Sequence, residues 1–159
     1  MASNKQCFDK ILISACFLGE RVRYNGVVKS LVSQLISQWQ QQGRFISVCP
    51  EVMSGLPVPR PPAEINPKTK QVLTIESVDV SQQFKKGAQL ALSLCQRHDI
   101  RFALLKESSP SCGSNTIYDG SFSQKIIVGE GITTKLLRQH GIKVFSELSL
   151  AQLELLLDQ

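Results

Sequence analysis

The chain has 159 residues, 42% of them hydrophobic, and a net charge of +5. That is enough apolar material for one compact globular domain over 1–159, with no sign of a second. No apolar run approaches the roughly 20 residues that cross a bilayer, and the polar start from Met1 to Lys10 lacks the apolar centre of a secretory signal, so a membrane protein is excluded and a cytoplasmic one expected. Lys and Arg are scattered, which permits an anionic ligand without indicating nucleic-acid binding.

Four short apolar runs read as strands buried on both faces: residues 11–16 (ILISAC), 44–49 (RFISVC), 101–106 (RFALLK) and 143–147 (KVFSE). Helical periodicity lies between them. Leu31, Leu35, Ile36 and Trp39 share one face, and Gly43 can close that helix in a left-handed cap. Phe84, Ala88, Ala91 and Cys95 share a second face, and Ile132, Leu136 and Leu137 a third. Ser149 and Gln152 form a candidate capping box before a last helix. This α/β order predicts a mostly parallel, Rossmann-like sheet with flanking helices.

One stretch interrupts the alternation. Residues 49–75 hold six of the seven prolines, so the first half reads as a stiff loop. Its second half, with a polar turn between Ala63–Ile65 and Gln71–Ile75, reads as a small β-hairpin.

Five cysteines in a reducing compartment are thiols, metal ligands or nucleophiles rather than disulfides. Cys16 and Cys49 each end an expected strand, and Cys112 follows a third by six residues, within the unusual loop SPSCGSNTIYDG (109–120). Ligands of open α/β sheets bind outside the carboxyl ends of the strands, so these three thiols are expected to converge there. Cys95 falls on a helix face and reads as core, and Cys7 has no evident role. The spacing of a closed four-ligand zinc site is absent, and His98 and His140 sit where helices end. Three thiolates suit an iron–sulfur cubane, one iron of which keeps no protein ligand and can take a substrate atom.

The segments ILISACFLGERVRYNG, VCPEVMSGLPVPRPPAEI, LLKESSPSCGSNTIYDGSF and GEGITTKLLRQHGIKVFSE, in this order along nearly the whole chain, resemble the thiouracil desulfidases, a family once of unknown function. The resemblance implies a compact α/β domain with an oxygen-sensitive [4Fe-4S] cluster on Cys16, Cys49 and Cys112, which removes sulfur from a thiolated nucleobase such as 2-thiouracil. A free base is the first expectation for the substrate, with a tRNA-derived thionucleoside as the wider one. Within that reading Glu51, two residues after Cys49, is the expected acid–base group, its pKa raised in a water-poor cleft. Ser109 is expected on the substrate side, and Ser111 beside it as a donor to cluster sulfide or substrate. Tyr24 and Arg60 are expected to orient a planar base. Asn25 stands where the family more often has aspartate, which removes an acid–base role there but keeps a turn with Gly26. Two other classes stay open: a cluster-free sulfurtransferase with a persulfide on Cys112 resolved by Cys16 or Cys49, and a binding module for thiolated RNA.

Overall fold

The computed structural model describes residues 8–20, 23–25 and 33–158. Cys7, Gly26 and Leu31 lie outside them. In chain order the elements are β1 (Ile11–Ser14), α1 (Gln34–Gln41), β2 (Phe45–Val48), α2 (Pro50–Met53), β3 (Ala63–Ile65), β4 (Val72–Thr74) and α3 (Ser81–Arg97). There follow β5 (Phe102–Leu104), β6 (Thr116–Tyr118), β7 (Ile126–Val128), α4 (Ile132–Gln139), β8 (Lys143–Phe145) and α5 (Leu150–Leu156).

The four expected strands form one parallel sheet in the order β2-β1-β5-β8. Side chains alternate across it, so each strand feeds two cores. Leu12, Ala103 and Val144 pack with Ala91 and Cys95 of α3 and Leu137 of α4. Ile11, Ile13, Phe102 and Leu104 pack with Ile36 and Trp39 of α1 and Leu153 of α5. Helices on both faces explain why Ile11, Leu12, Ile13, Ala103 and Leu104 are wholly buried and why their strands read as unbroken apolar runs.

The strand order has a functional consequence. From β1 the chain moves to β2 on one side, then crosses back to β5 and β8 on the other. The reversal falls between β1 and β5, and a sheet of this kind binds its ligand in the crevice beyond the carboxyl ends at such a point.

The expected hairpin is present as β3–β4, with Ala63 opposite Thr74 and Ile65 opposite Val72. A second antiparallel pair, β6–β7, was not anticipated from the sequence. Its strands have three residues each, too short to display a period. Ile117 of β6 joins Ile65, Val72 and Phe84 in a third apolar cluster, which ties both hairpins to α3.

Other details depart from expectation. The proline stretch opens with one helical turn, α2, because Pro50 occupies its first position, where a missing N–H costs nothing. The capping box at Ser149 does not form: Ser149 Oγ instead accepts from Ser146 N at 3.0 Å and donates to Ser146 O at 3.3 Å. On α4 the buried positions are Thr133, Thr134 and Leu137, whereas Ile132 and Leu136 are only partly covered. Gly43 does follow α1 with a left-handed φ of +67°.

Gly87 lets α2 lie directly on α3, since a Cβ there would sit 2.2 Å from Pro50 O. Alanine favours a helix interior by up to about 1 kcal/mol over glycine, but the clash is with backbone that has to move. Gly87→Ala should therefore be destabilising by about 1–3 kcal/mol, read as an earlier midpoint in urea, and should displace the turn that carries Cys49 and Glu51.

Candidate functional site

Beyond the carboxyl ends of the sheet opens a cavity of about 680 Å³. Cys16, Cys49 and Cys112 all line it, together with Glu51, Arg60, Tyr24 and Ser109. Each cysteine is delivered by the segment that follows a strand. After β1 the chain tightens into a 3-10 turn, Ala15–Leu18, which buries Cys16 and closes at Gly19 with φ +86°. The apolar run predicts strand to residue 16; Cys16 instead lies two residues past the end of β1. Cys49 occupies the N-cap position of α2. Cys112 lies in the loop between β5 and β6 and is 6% exposed.

The thiols sense one another. Burial first, and then the neighbouring Cys49, push the Cys16 thiol up to about 11. Burial also raises Cys49, partly offset by the N–H of Val52 at the start of α2. Cys112 is pushed up most, by burial first and then by Cys49, Glu51 and Cys16, against which the Ser14 hydroxyl hydrogen-bonds to its sulfur. Three anions in so dry a place need a cationic centre between them. An all-thiol donor set is soft and suits iron–sulfur rather than a hard cation. Among the described residues no group of three or more His, Cys, Asp or Glu is placed to hold a single metal ion. A cubane makes no such demand, because its thiolates bind separate irons. Cys95 stands apart on α3; burial alone raises its thiol, to about 11.

Glu51 sits in the first turn of α2 with its side chain 14% exposed. Arg60 bonds to its Oε2 through Nε at 3.0 Å and through Nη2, and its Nη1 donates to Pro57 O at 3.1 Å. The guanidinium expected to orient a substrate is therefore engaged in holding Glu51. Tyr24 is 41% exposed at the mouth, and its carbonyl accepts from Arg60 N at 2.6 Å. Asn25 is exposed in the adjoining turn.

The Cys112 loop is built by its serines. Ser109 Oγ accepts from the N–H groups of Ser111 and Cys112, both at 3.2 Å, which folds the chain back and leaves its hydroxyl hydrogen for another acceptor. Ser111 lines the cavity and is 1% exposed, and its Oγ bonds to Thr133 Oγ1 at 3.0 Å, which fastens the loop to α4. Thr134 Oγ1 donates to Cys112 O at 2.9 Å. This contact depends on Gly131, where a Cβ would lie 2.4 Å from Ser111 O.

Sequence reasoning missed three further residues. Ser14 ends β1, and its Oγ accepts from Lys106 N at 3.0 Å while its hydroxyl meets Cys112. Lys106 lines the cavity and pairs with Glu147 at 2.9 Å. Glu107 is 7% exposed and lies under the Cys112 loop. A strand pattern that stops in LLKESS gives one available signal, a charged residue where the chain is still inside the fold.

Burial alone would raise the Glu107 carboxyl, but the N–H groups of Asn115 and Thr116 and the hydroxyls of Ser114 and Ser146 bring it down to about 2. A carboxyl depressed by folding adds stability that is complete above its unfolded value, near pH 4.5, and is lost as pH falls towards 2. An acid titration followed by circular dichroism should show this loss in the wild type and much less of it in Glu107→Gln.

A family model described as 2-thiouracil desulfurase matches residues 11–149. The uncharacterized protein YbbK of Bacillus subtilis (strain 168) is 37% identical over 145 residues, which span 86% of this chain and 95% of that protein. The solved structure of the [4Fe-4S]-dependent thiouracil desulfidase TudS superposes with a TM-score of 0.89 at 52% identity, covering 92% of this chain and 96% of that one.

Proposed function

The chain belongs to the 2-thiouracil desulfurase family, and from that premise we propose that Cys16, Cys49 and Cys112 hold its [4Fe-4S] cluster while Glu51 and Ser109 serve the reaction. The enzyme is a desulfidase that replaces the sulfur of a thiolated nucleobase by oxygen. Water enters, sulfide leaves, and no electrons change hands. The observation that carries the assignment of residues is the meeting of the three thiols and Glu51 in one cavity at the strand ends.

When bound, the cluster supplies an iron without a protein ligand, a Lewis acid for the thiocarbonyl sulfur. The chain does the rest. Arg60 anchors Glu51 Oε2, so the carboxylate keeps one orientation and Oε1 is left to receive the proton of the attacking water. Glu51 then returns that proton to the departing sulfur or the ring nitrogen. Ser109, whose Oγ already accepts two loop amides, has a hydroxyl hydrogen to give to the substrate. Tyr24 at the mouth offers a ring against which a planar base can stack.

The cavity of about 680 Å³ has to hold cluster and substrate together, and the substrate we propose is a free thiolated base, with a thionucleoside released from tRNA as the wider class. The persulfide reading fares worse. A sulfur carrier needs an exposed thiol of low pKa, whereas Cys112 is buried and its thiol is pushed up. Among the described residues no helix is long and apolar enough to cross a membrane. An oxygen-sensitive cluster on cysteine thiolates fits a reducing, cytoplasmic setting.

The test is anaerobic reconstitution with iron and sulfide, followed by sulfide release from 2-thiouracil and 2-thiouridine in parallel. About four irons per chain and turnover of the base are expected. Turnover without iron would overturn the reading, and turnover of the base alone would restrict the substrate to free thiobases.

A further inference from the structure

We infer that Glu107 is a positioning residue for the reaction, its buried carboxylate acting as the template on which the loop bearing Ser109 and Cys112 is folded. The inference rests on the desulfidase reading only in taking Cys112 as a ligand.

The geometry is unusual for a surface-loop glutamate. Oε1 accepts from the backbone N–H groups of Ser114, Asn115 and Thr116 at 3.1, 3.0 and 3.0 Å, from Ser108 N at 3.3 Å and from Thr116 Oγ1 at 3.1 Å. Oε2 accepts from Ser114 Oγ at 2.8 Å and Asn115 Nδ2 at 3.4 Å. The Ser146 hydroxyl adds a donor from the end of β8. Three consecutive amides pointing at one oxygen form an anion nest, and here the anion comes from the chain itself. Its donors begin at Ser108 and resume at Ser114, so they bracket Ser109 and Cys112 on both sides.

The carboxylate is itself held. Glu107 N donates to Glu147 Oε1 at 2.7 Å, and Glu147 pairs with Lys106, so the base of the loop is tied to the chain just past β8. Ser111 to Thr133, Thr134 to Cys112 O and the amides of Ile132 and Thr133 fasten the loop on the α4 side, and the Ser14 hydroxyl reaches Cys112 from the end of β1. Without the anion, three N–H groups lose their partner together, that of Ser114 buried and those of Asn115 and Thr116 part-buried, and the cheapest remedy is for the loop to open towards water. Ser109 and Cys112 would then leave the cavity while the sheet and helices stay in place.

The test uses the cluster-free full chain, reduced and under anaerobic conditions, with iodoacetamide as the probe and peptide mass spectrometry as the readout. Cys95, 1% exposed on α3, is the internal control for global opening. In Glu107→Gln one acceptor oxygen becomes an amide donor facing other donors. Cys112 should be alkylated at least about 10-fold faster than in wild type, with Cys95 unchanged. Thr116→Val removes one donor at nearly constant shape and should give a smaller rise, which keeps the proposal testable if the glutamine variant folds poorly. Iron bound after reconstitution should fall in the same order. Unchanged labelling of Cys112 in both variants, or labelling of Cys95 in step with Cys112, overturns the inference. Because alkylation needs no iron and no substrate, its outcome is independent of whether the chain desulfurates thiouracil.

Discussion

Alanine at Cys16, Cys49 or Cys112 should abolish both cluster retention and sulfide release, whereas alanine at Cys95 should leave iron content and turnover close to wild type. The contrast follows from position rather than burial, because Cys16, Cys95 and Cys112 are all buried. Cys95 contributes packing between α3 and the sheet, and its removal leaves a small cavity costing on the order of 1 kcal/mol. The other three thiols share one cavity, and their electrostatic fields overlap. A cluster left with two thiolates also loses the charge balance that keeps it in a dry site. Iron and acid-labile sulfide, measured anaerobically on all four variants, decide the matter. Equal loss of iron across the four would place Cys95 among the ligands, and retention of full iron in any of the first three would remove that cysteine from the set.

The sequence made the convergence of those thiols legible because strands buried on both faces advertise themselves. The central strands β1 and β5 carry the unbroken runs ILI and FAL and are buried throughout, the edge strands β2 and β8 expose Ser47 and Lys143, and all four lie in the sheet as expected. Once such strands are parallel, residues just after them meet at one rim, and Cys16, Cys49 and Cys112 did. Features set by tertiary hydrogen bonding left no such trace. Ser149 reads as a helix cap until Ser146, brought close by the turn after β8, takes its hydroxyl. Ser111 reads as a substrate donor, and the sequence gives no sign of its bond to Thr133, on a helix more than 20 residues away. Arg60 reads as free to bind a base until the proline-rich segment folds it onto Glu51. In each case a polar side chain has several plausible partners locally, and packing chooses among them. Glu107 shows the same limit from the other side, since a buried anion is tolerable only with donors that the rest of the loop supplies.

Glu51→Gln should lower the rate of sulfide release by about 100-fold or more while iron content stays near wild type. The glutamine preserves length and can still bond to Arg60 through its carbonyl oxygen, but it cannot take a proton from water. In the proposed arrangement ligation is not at stake: the three thiols would supply the donor set, and Glu51 is tied through Oε2 to Arg60. The variant therefore separates chemistry from assembly. Arg60→Lys is the companion measurement, because a lysine keeps the charge but not the two-point grip on one carboxylate oxygen. It should reduce turnover less than Glu51→Gln does and leave cluster content unchanged. A near-normal rate in Glu51→Gln would take the residue out of the reaction. Loss of iron together with rate would make it a support for the turn that presents Cys49, and the burden of proton transfer would then pass to another group lining the cavity.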